Sequence, residues 1–311
     1  MIKVKQYSSE DRQIWNDFID SSKNGIFMFK REFMEYHADR FKDFSLLFYE
    51  EDELIALLPL SIKNQEVISH GGLTYGGFIT SESMKQYKMN ECFDSLLAYL
   101  RDNNIKKIIY KPIPHIFHKY PAQEDLYALF KSGGKIFKIE PSSTILLQNP
   151  LKMPKGRKAQ ISRAKREGVT IEESTDFDTF INLENEILSK YHNTKAVHNA
   201  EELKLLKSRF EKEIQLWIAK YQGQIIAATL LFVYDKVVHT QYMAANDKAR
   251  EIGGLDYLIK TLIDKFKESK VYFDFGISTE DNGEILNEGL ISQKEGFGAR
   301  TISYHTWEID L

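Results

Sequence analysis

The stretch from Tyr272 to Arg300, YFDFGISTEDNGEILNEGLISQKEGFGAR, runs a short apolar strand into a loop dense in glycine, carboxylate and amide groups. Glycine adopts positive φ and permits close backbone approach, so a strand ending in Asp274 and Gly276 leaves backbone donors and one carboxylate at its mouth. Farther on, Lys294 and Glu295 precede Gly296-Phe297-Gly298. A lysine beside developing negative charge stabilises it, and a carboxylate near an amine orients it or takes its proton. Asp274 and Lys294 are therefore candidate catalytic residues for acyl transfer to an amine. The plainer reading makes Asp274 a loop cap and Lys294 an exposed lysine.

Working outward, the segment before this stretch reads as strand GVTIEES, a helix over DFDTFINLENEILSKYH capped by Asp176, and a helix through AEELKLLKSRFEK. Three strands follow in IQLWIAKYQGQIIAATLLFVYDKVVHTQYMAAND, with turns at Gln222-Gly223 and Asp235-Lys236, and then one long helix from about 249 to 268. The first half has a similar order: a strand over 2–6, two short helices, a hairpin over about 44–63, a helix over about 83–103, the strand IKKIIY, a helix stopped by Gly133-Gly134, and strand KIFKIEPSSTILLQN. The hairpins LLFYEEDELIALLPLSI and LWIAKYQGQIIAATLLF share strand, polar turn, strand and an Ile-Ala step after the turn. The expectation is a duplicated α/β unit: domain 1–150, a basic linker helix 151–167, and domain 168–311.

Composition bounds the function. The chain has 311 residues, 42% of them hydrophobic, a net charge of -3 and one cysteine. No intrachain disulfide is available, and Cys92, in the amphipathic run NECFDSLLAYL, reads as a buried structural thiol. Neither a signal peptide nor an apolar run of membrane-spanning length is visible, which gives a cytoplasmic expectation. The near-neutral charge argues against a DNA-binding role. No metal is expected, because His115 and His118 lie in a proline-flanked loop with no carboxylate or cysteine beside them.

Four further patterns carry candidate binding residues. LKMPKGRKAQISRAKREGV holds seven basic residues and no acidic one between Lys152 and Arg166. From Lys158 onward it reads as a helix with Ala159, Ile161 and Ala164 facing protein. Arg157, Lys158, Arg163 and Arg166 are its exposed candidates for contacting phosphate, with a solvated helix as the alternative. NDKAREIGGLDYL places Arg250, Gly253 and Gly254 at the opening of a helix, where backbone N–H groups can receive a pyrophosphate; close helix packing explains the same glycines. SHGGLTYGGFI reads as a close-approach loop with His70 and Tyr75 as polar handles for substrate. In VVHTQYMAA, His239 or Tyr242 can face the reacting group, with a satisfied core histidine as the other reading.

YFDFGIS (272–278), QKEGFGAR (293–300), KAQISRAKREGV (158–169) and the hairpin WIAKYQGQIIAATLLF together resemble the FemAB-like branch of the GNAT superfamily, in which two acyltransferase-type domains are fused. The resemblance implies α+β mixed sheets in a duplicated GNAT-like N-acyltransferase fold with an interdomain cleft. It also implies acyl transfer to an amine without a covalent enzyme intermediate. Ordinary GNAT enzymes use acyl-CoA as donor cosubstrate and hold no permanent cofactor, whereas some FemAB-like members take an aminoacyl group from transfer RNA. By that analogy Asp274 and Lys294 lie near the acceptor and the developing oxyanion, and the Arg250 loop near the donor. Two departures stand out. Arg250 and Gly253 match the family's R/Q-x-x-G-x-G/A loop, but Leu255 replaces its last small residue. AEELKLLKSRFEKEI is also too short to be the helical arm of the peptidoglycan aminoacyltransferases. The leading expectation is N-acylation of an amine on a cell-wall or surface-polysaccharide precursor, a small molecule or a lipid- or nucleotide-linked sugar. An aminoacyl-tRNA-dependent transferase and an inactive binding module with the same fold are the alternatives.

Overall fold

The computed structural model describes residues 2–192 and 195–311. They form two compact units, Met1–Glu140 with Ser303–Leu311, and Pro141–Ile302. The sequence expectation put the last nine residues with the second half. In the structure Trp307–Asp310 pair antiparallel with Tyr110–Lys107, and that pairing joins them to the first unit.

The first unit contains, in chain order, β1 (Ile2–Gln6), α1 (Arg12–Ser21), α2 (Arg31–Met34), β2 (Leu46–Glu50), β3 (Glu53–Leu58), β4 (Ser61–Lys63), β5 (Glu66–Ile68), β6 (Ile79–Thr80), α3 (Gln86–Asp102), β7 (Lys107–Tyr110), α4 (Glu124–Lys131) and the start of β8 (Lys135–Leu146). The expected hairpin is β2–β3, inside a sheet ordered β1-β2-β3-β6. Helix α3 turns Met89, Cys92, Phe93, Leu96, Leu97 and Leu100 inward at three- and four-residue spacing, so one apolar stripe meets the core around Phe48, Phe78 and Ile108. Burial pushes the Cys92 thiol up to about 12, which suits a packing role.

The second unit continues with the end of β8, then α5 (Lys155–Arg166), β9 (Thr170–Ser174), α6 (Phe177–His192), α7 (Ala200–Arg209), β10 (Ile214–Tyr221), β11 (Gln224–Val233), β12 (Val237–Ala245), α8 (Asp247–Ile252), α9 (Gly254–Phe266), β13 (Tyr272–Ile277), β14 (Thr279–Glu280), β15 (Ile285–Leu286), α10 (Glu288–Glu295) and the start of β16 (Arg300–Asp310). Its sheet runs β8-β13-β12-β11-β10-β9, with β12–β13 parallel and the other neighbours antiparallel. Gln222 and Gly223 both have positive φ, the two-residue turn that suits the right-handed twist of β10 and β11. Asp176 caps α6 by accepting from the Thr179 N–H at 3.0 Å.

Three expectations change here. The basic segment is not a linker: Ile161 and Ala164 of α5 are buried, and α5 packs along α9 within the second unit. Ala159, expected to face protein, is exposed. The single helix expected over 249–268 is broken at Gly253, whose φ is +79°. A Cβ at Gly253 would lie 2.5 Å from the Gln160 carbonyl oxygen, so the break and the glycine both follow from the close approach of α5.

Candidate active site

β12 and β13 run parallel for only three pairs, Val237–Tyr272, Val238–Phe273 and His239–Asp274, and then part. Each strand is distorted where they diverge. The β11–β12 register slips between Leu230–Tyr242 and Leu231–Thr240, leaving Gln241 as the extra residue. The β13–β8 register slips between Asp274 and Ile277, with Gly276 at φ +72°. Bulges of this kind end pairing and re-aim side chains, and here they open a slot flanked by the ends of two strands.

Asp274 stands at the vertex. It is fully buried, and its neighbours Phe273 and Phe275 belong to the core beneath α9, so alternation along the strand sends Asp274 to the opposite, α6 face. There its Oδ1 accepts from Ser142 Oγ at 2.7 Å and Thr144 Oγ1 at 2.6 Å. Its Oδ2 lies 2.6 Å from His239 Nδ1 and accepts from the Gly276 N–H at 3.2 Å. Burial alone would raise the carboxyl pKa, but the hydrogen bonds from His239, Thr144 and Ser142 hold it below the ordinary carboxylate value. An ionised acceptor at Nδ1 makes that nitrogen the donor, so the neutral ring presents its lone pair at Nε2. The Gly276 Cα faces the ring edge, and a Cβ there would sit 3.2 Å from His239 Cε1.

Lys294, from the last turn of α10, supports the same turn from behind. Its buried Nζ donates to the Gly276 carbonyl at 3.0 Å and the Ile277 carbonyl at 2.6 Å. Burial draws its pKa down to about 8, opposed by the charge of Asp274. A second polar group lies along the same face of β12. The Tyr242 hydroxyl is 2.7 Å from His198 Nδ1, and its ring packs edge-on against Phe180 of α6 at 6.1 Å. Burial pushes Tyr242 up to about 12, with Glu184 raising it further. Glu184 of α6 is 6% exposed, its Oε2 has no hydrogen-bond partner, and burial lifts its pKa to about 7. A carboxyl that titrates near neutrality beside a protonated phenol is suited to moving protons.

Residues 155–282, which hold α5, the splayed strands, the Asp274–His239 pair and Glu184, match the family of acetyltransferase (GNAT) domains. Over these residues the chain is similar to a GNAT acetyltransferase domain. The whole chain carries the FemAB-like tandem fold, and fold and domain together mark the protein as an acyltransferase. The solved structure of FemX matches with a TM-score of 0.71 at 12% identity, over 99% of this chain and 97% of that one. The C-terminal domain of a putative lysylphosphatidylglycerol synthetase from Agrobacterium fabrum gives 0.62 at 14%, over 96% and 92%. A tandem GNAT protein from the clavulanic acid biosynthesis pathway gives 0.53 at 8%, over 100% and 98%. At these identities the shared property is the fold. No curated protein matches the sequence.

The glycines expected to cradle a donor pyrophosphate are closely packed. Gly253 abuts the Gln160 backbone, and Gly254 abuts Ile226, whose Cδ1 would lie 2.8 Å from an added Cβ. The first turn of α9 already holds a carboxylate, Asp256, ion-paired with Arg157. Arg250 sits in the last turn of α8. Gly253 and Gly254 are thus tightly packed, and Asp256 with its Arg157 partner lies in the first turn of α9.

The basic candidates divide as well. Arg157 is not exposed: it pairs with Asp256, donates to the Gln293 carbonyl at 2.8 Å, and lies over the Phe297 ring at 4.2 Å. Arg163 reaches Glu251 at 3.5 Å, while Lys158 and Arg166 are exposed. In the first unit His70 and Tyr75, the expected polar handles of a close-approach loop, are both buried. Burial drives His70 down to about 3, and Tyr75 packs against Phe117 and Tyr304. The glycines of that loop serve packing, for an added Cβ at Gly72 would collide with His37 and one at Gly77 with the Tyr110 hydroxyl. Among the described residues no group of three His, Cys, Asp or Glu side chains is placed to hold a metal ion, and no helix is long and apolar enough to cross a membrane.

Sequence reading missed Ser142, Thr144, Glu184 and His198. Ser142 and Thr144 lie about 130 residues before Asp274, and Glu184 occupies an ordinary position in an amphipathic helix. Only the hydroxyl run Ser142-Ser143-Thr144 in β8, read as a partner for the buried strand VYFDFG, offered a signal.

Proposed function

We propose that the second unit transfers an acyl group to a primary amine, with His239 as general base and Asp274 as its positioning residue. The supporting observation is the 2.6 Å contact between His239 Nδ1 and Asp274 Oδ2 at the point where β12 and β13 part. The amine nitrogen attacks the acyl carbonyl carbon in the slot, a C–N bond forms, and the amine proton passes to His239 Nε2. The bond to the donor's sulfur or oxygen breaks, and Tyr242 supplies a proton to that leaving atom, with His198 and Glu184 behind it. Asp274 touches no substrate in this scheme. Its bond to Nδ1 fixes the ring and favours the imidazolium that forms, while Ser142, Thr144 and Gly276 hold the carboxylate in place. Lys294 holds the Gly276 turn against the ring.

The acceptor is read as an amine on a cell-wall or surface-polysaccharide precursor bearing phosphate, acylated in the cytoplasm. The exposed cations of α5, Arg166 among them, support it because adjacent cations concentrate polyanions. Two donors are compatible with the slot. Acyl-CoA is favoured by the end of β12–β13 pairing after His239 and Asp274. Aminoacyl-tRNA is favoured by Gly253 and Gly254 being committed to packing, and the putative lysylphosphatidylglycerol synthetase of like fold carries an aminoacyl group in its name. The test incubates purified protein with UDP-amino sugars and either acyl-CoA or aminoacyl-tRNA, with products read by mass spectrometry. Amide product from one donor, lost in His239→Gln, is the expected result. Equal product from His239→Gln and wild type sinks the assignment.

A further inference from the structure

On the other face of the same sheet, the second unit encloses a cavity of about 480 Å³ that the acyl-transfer chemistry does not use. Its floor is apolar: Ile145, Leu147, Leu151, Ile161, Ile263 and Phe297. Its polar lining is mostly cationic, with Lys152, Lys158, Lys260 and Lys267 from the post-β8 segment, α5 and α9. The one carboxylate among the lining residues, Asp264, is paired with Lys260. Lys152 and Lys158 make no ion pair among the described residues. Strand alternation separates the cavity from the active site, since Thr144 bonds Asp274 on one face while the next residue, Ile145, lines the cavity on the other.

We infer that this cavity binds an anionic amphiphile, a single aliphatic chain ending in a carboxylate or phosphate. The volume lies within the range of roughly 300–1,000 Å³ typical of sites for small organic ligands. An apolar floor gains from burying a chain but gives nothing to a bare anion. Lysines lay their methylene stems along such walls and keep strongly hydrated ammonium groups at the mouth, where an anionic head would meet them. A neutral apolar ligand would leave an unneutralised excess of positive charge at that mouth. The inference is independent of which donor the active site uses.

Isothermal titration of the full chain with decyl phosphate, decanoate, decanol and inorganic phosphate, each below its aggregation limit, tests it. Decyl phosphate or decanoate should bind saturably at one site, and the tighter of the two names the head group. Decanol and inorganic phosphate should each bind at least about tenfold more weakly than the better amphiphile. Its affinity should fall with added salt and drop about tenfold in the double variant Lys158→Glu/Lys267→Glu. Ile161→Trp, which fills the cavity, should abolish binding; the lysine variant, altering exposed side chains, serves if the tryptophan variant does not fold. Decanol binding as tightly as the anions would reduce the cavity to an unspecific apolar hole. Phosphate alone binding as tightly as decyl phosphate would make it a plain anion patch. Affinity unchanged in folded Ile161→Trp or in the lysine variant would overturn the inference.

Discussion

Asp274 accepts hydrogen bonds from Ser142, Thr144, His239 and Gly276, and each donor dictates part of what a substitution does. Asparagine keeps the shape but carries an NH2 group, which faces either the two hydroxyls or the pair His239 Nδ1 and Gly276 N–H with a donor where an acceptor stood. Asp274→Asn should therefore cost about 3 kcal/mol of stability and release the imidazole from its tautomer. Turnover should fall by about 100-fold or more. His239→Gln removes the base while leaving Ser142, Thr144 and Gly276 bonded to the carboxylate, so it should cut turnover by a similar factor with a smaller drop in melting temperature. Turnover and melting temperature measured on both variants separate these effects; retained turnover in both removes the pair from the reaction. At this scale the sequence showed Asp274 because a buried strand rarely carries a carboxylate into a glycine turn. It could not show Glu184, whose burial depends on how α6 lies across β12, nor Ser142 and Thr144, which meet Asp274 only through strand pairing.

The slot depends on two glycines with different tasks, both at positive φ. Gly276 lets β13 leave its neighbour while keeping its carbonyl on Lys294. Alanine there pays about 1 kcal/mol for the left-handed backbone and brings its Cβ to 3.2 Å from His239 Cε1, so the ring must yield. Gly276→Ala is expected to lower turnover well beyond its modest effect on stability, a difference that kinetics and thermal melting on one preparation will show. Gly253 serves packing, and Gly253→Ala would drive a Cβ into the Gln160 backbone 2.5 Å away. Here the expectation reverses: melting temperature falls by several degrees while the KM for the donor stays near wild type in the folded fraction. A raised donor KM with unchanged stability would return Gly253 to the donor site. Helix α10 and strand β16 lie in what read as a loop and its tail, whereas the element order from β9 to β13 was legible because apolar periodicity marks strands and amphipathic helices locally. The break at Gly253 was not, because it answers to a helix some ninety residues earlier that the sequence presents as a charged connector.

Across the described residues, a buried carboxyl in each unit is lifted to about 7, Asp125 in the first and Glu184 in the second, and a lysine in each is drawn down, Lys111 to about 7 and Lys294 to about 8, in every case chiefly by burial. A raised carboxyl stays protonated in the fold while the unfolded chain has lost its proton, so its contribution falls as pH rises from about 4 to about 7. A depressed lysine works the other way: between its folded value and about 10.5 the unfolded chain holds the extra proton, so stability rises with pH. Taken by themselves, these four groups contribute least to stability near pH 7 to 8. Glu184 isolates one limb of it, since its Oε2 has no hydrogen-bond partner to lose and glutamine preserves its shape. Glu184→Gln should match wild type near pH 4.5, where the native carboxyl is protonated and uncharged, and exceed it at pH 8 by on the order of 2 kcal/mol. Chemical denaturation of both proteins at the two pH values measures the difference directly. An equal difference at both would mean that the Glu184 carboxyl is already ionised in the fold at the lower pH, which would also remove it from the proton path behind Tyr242.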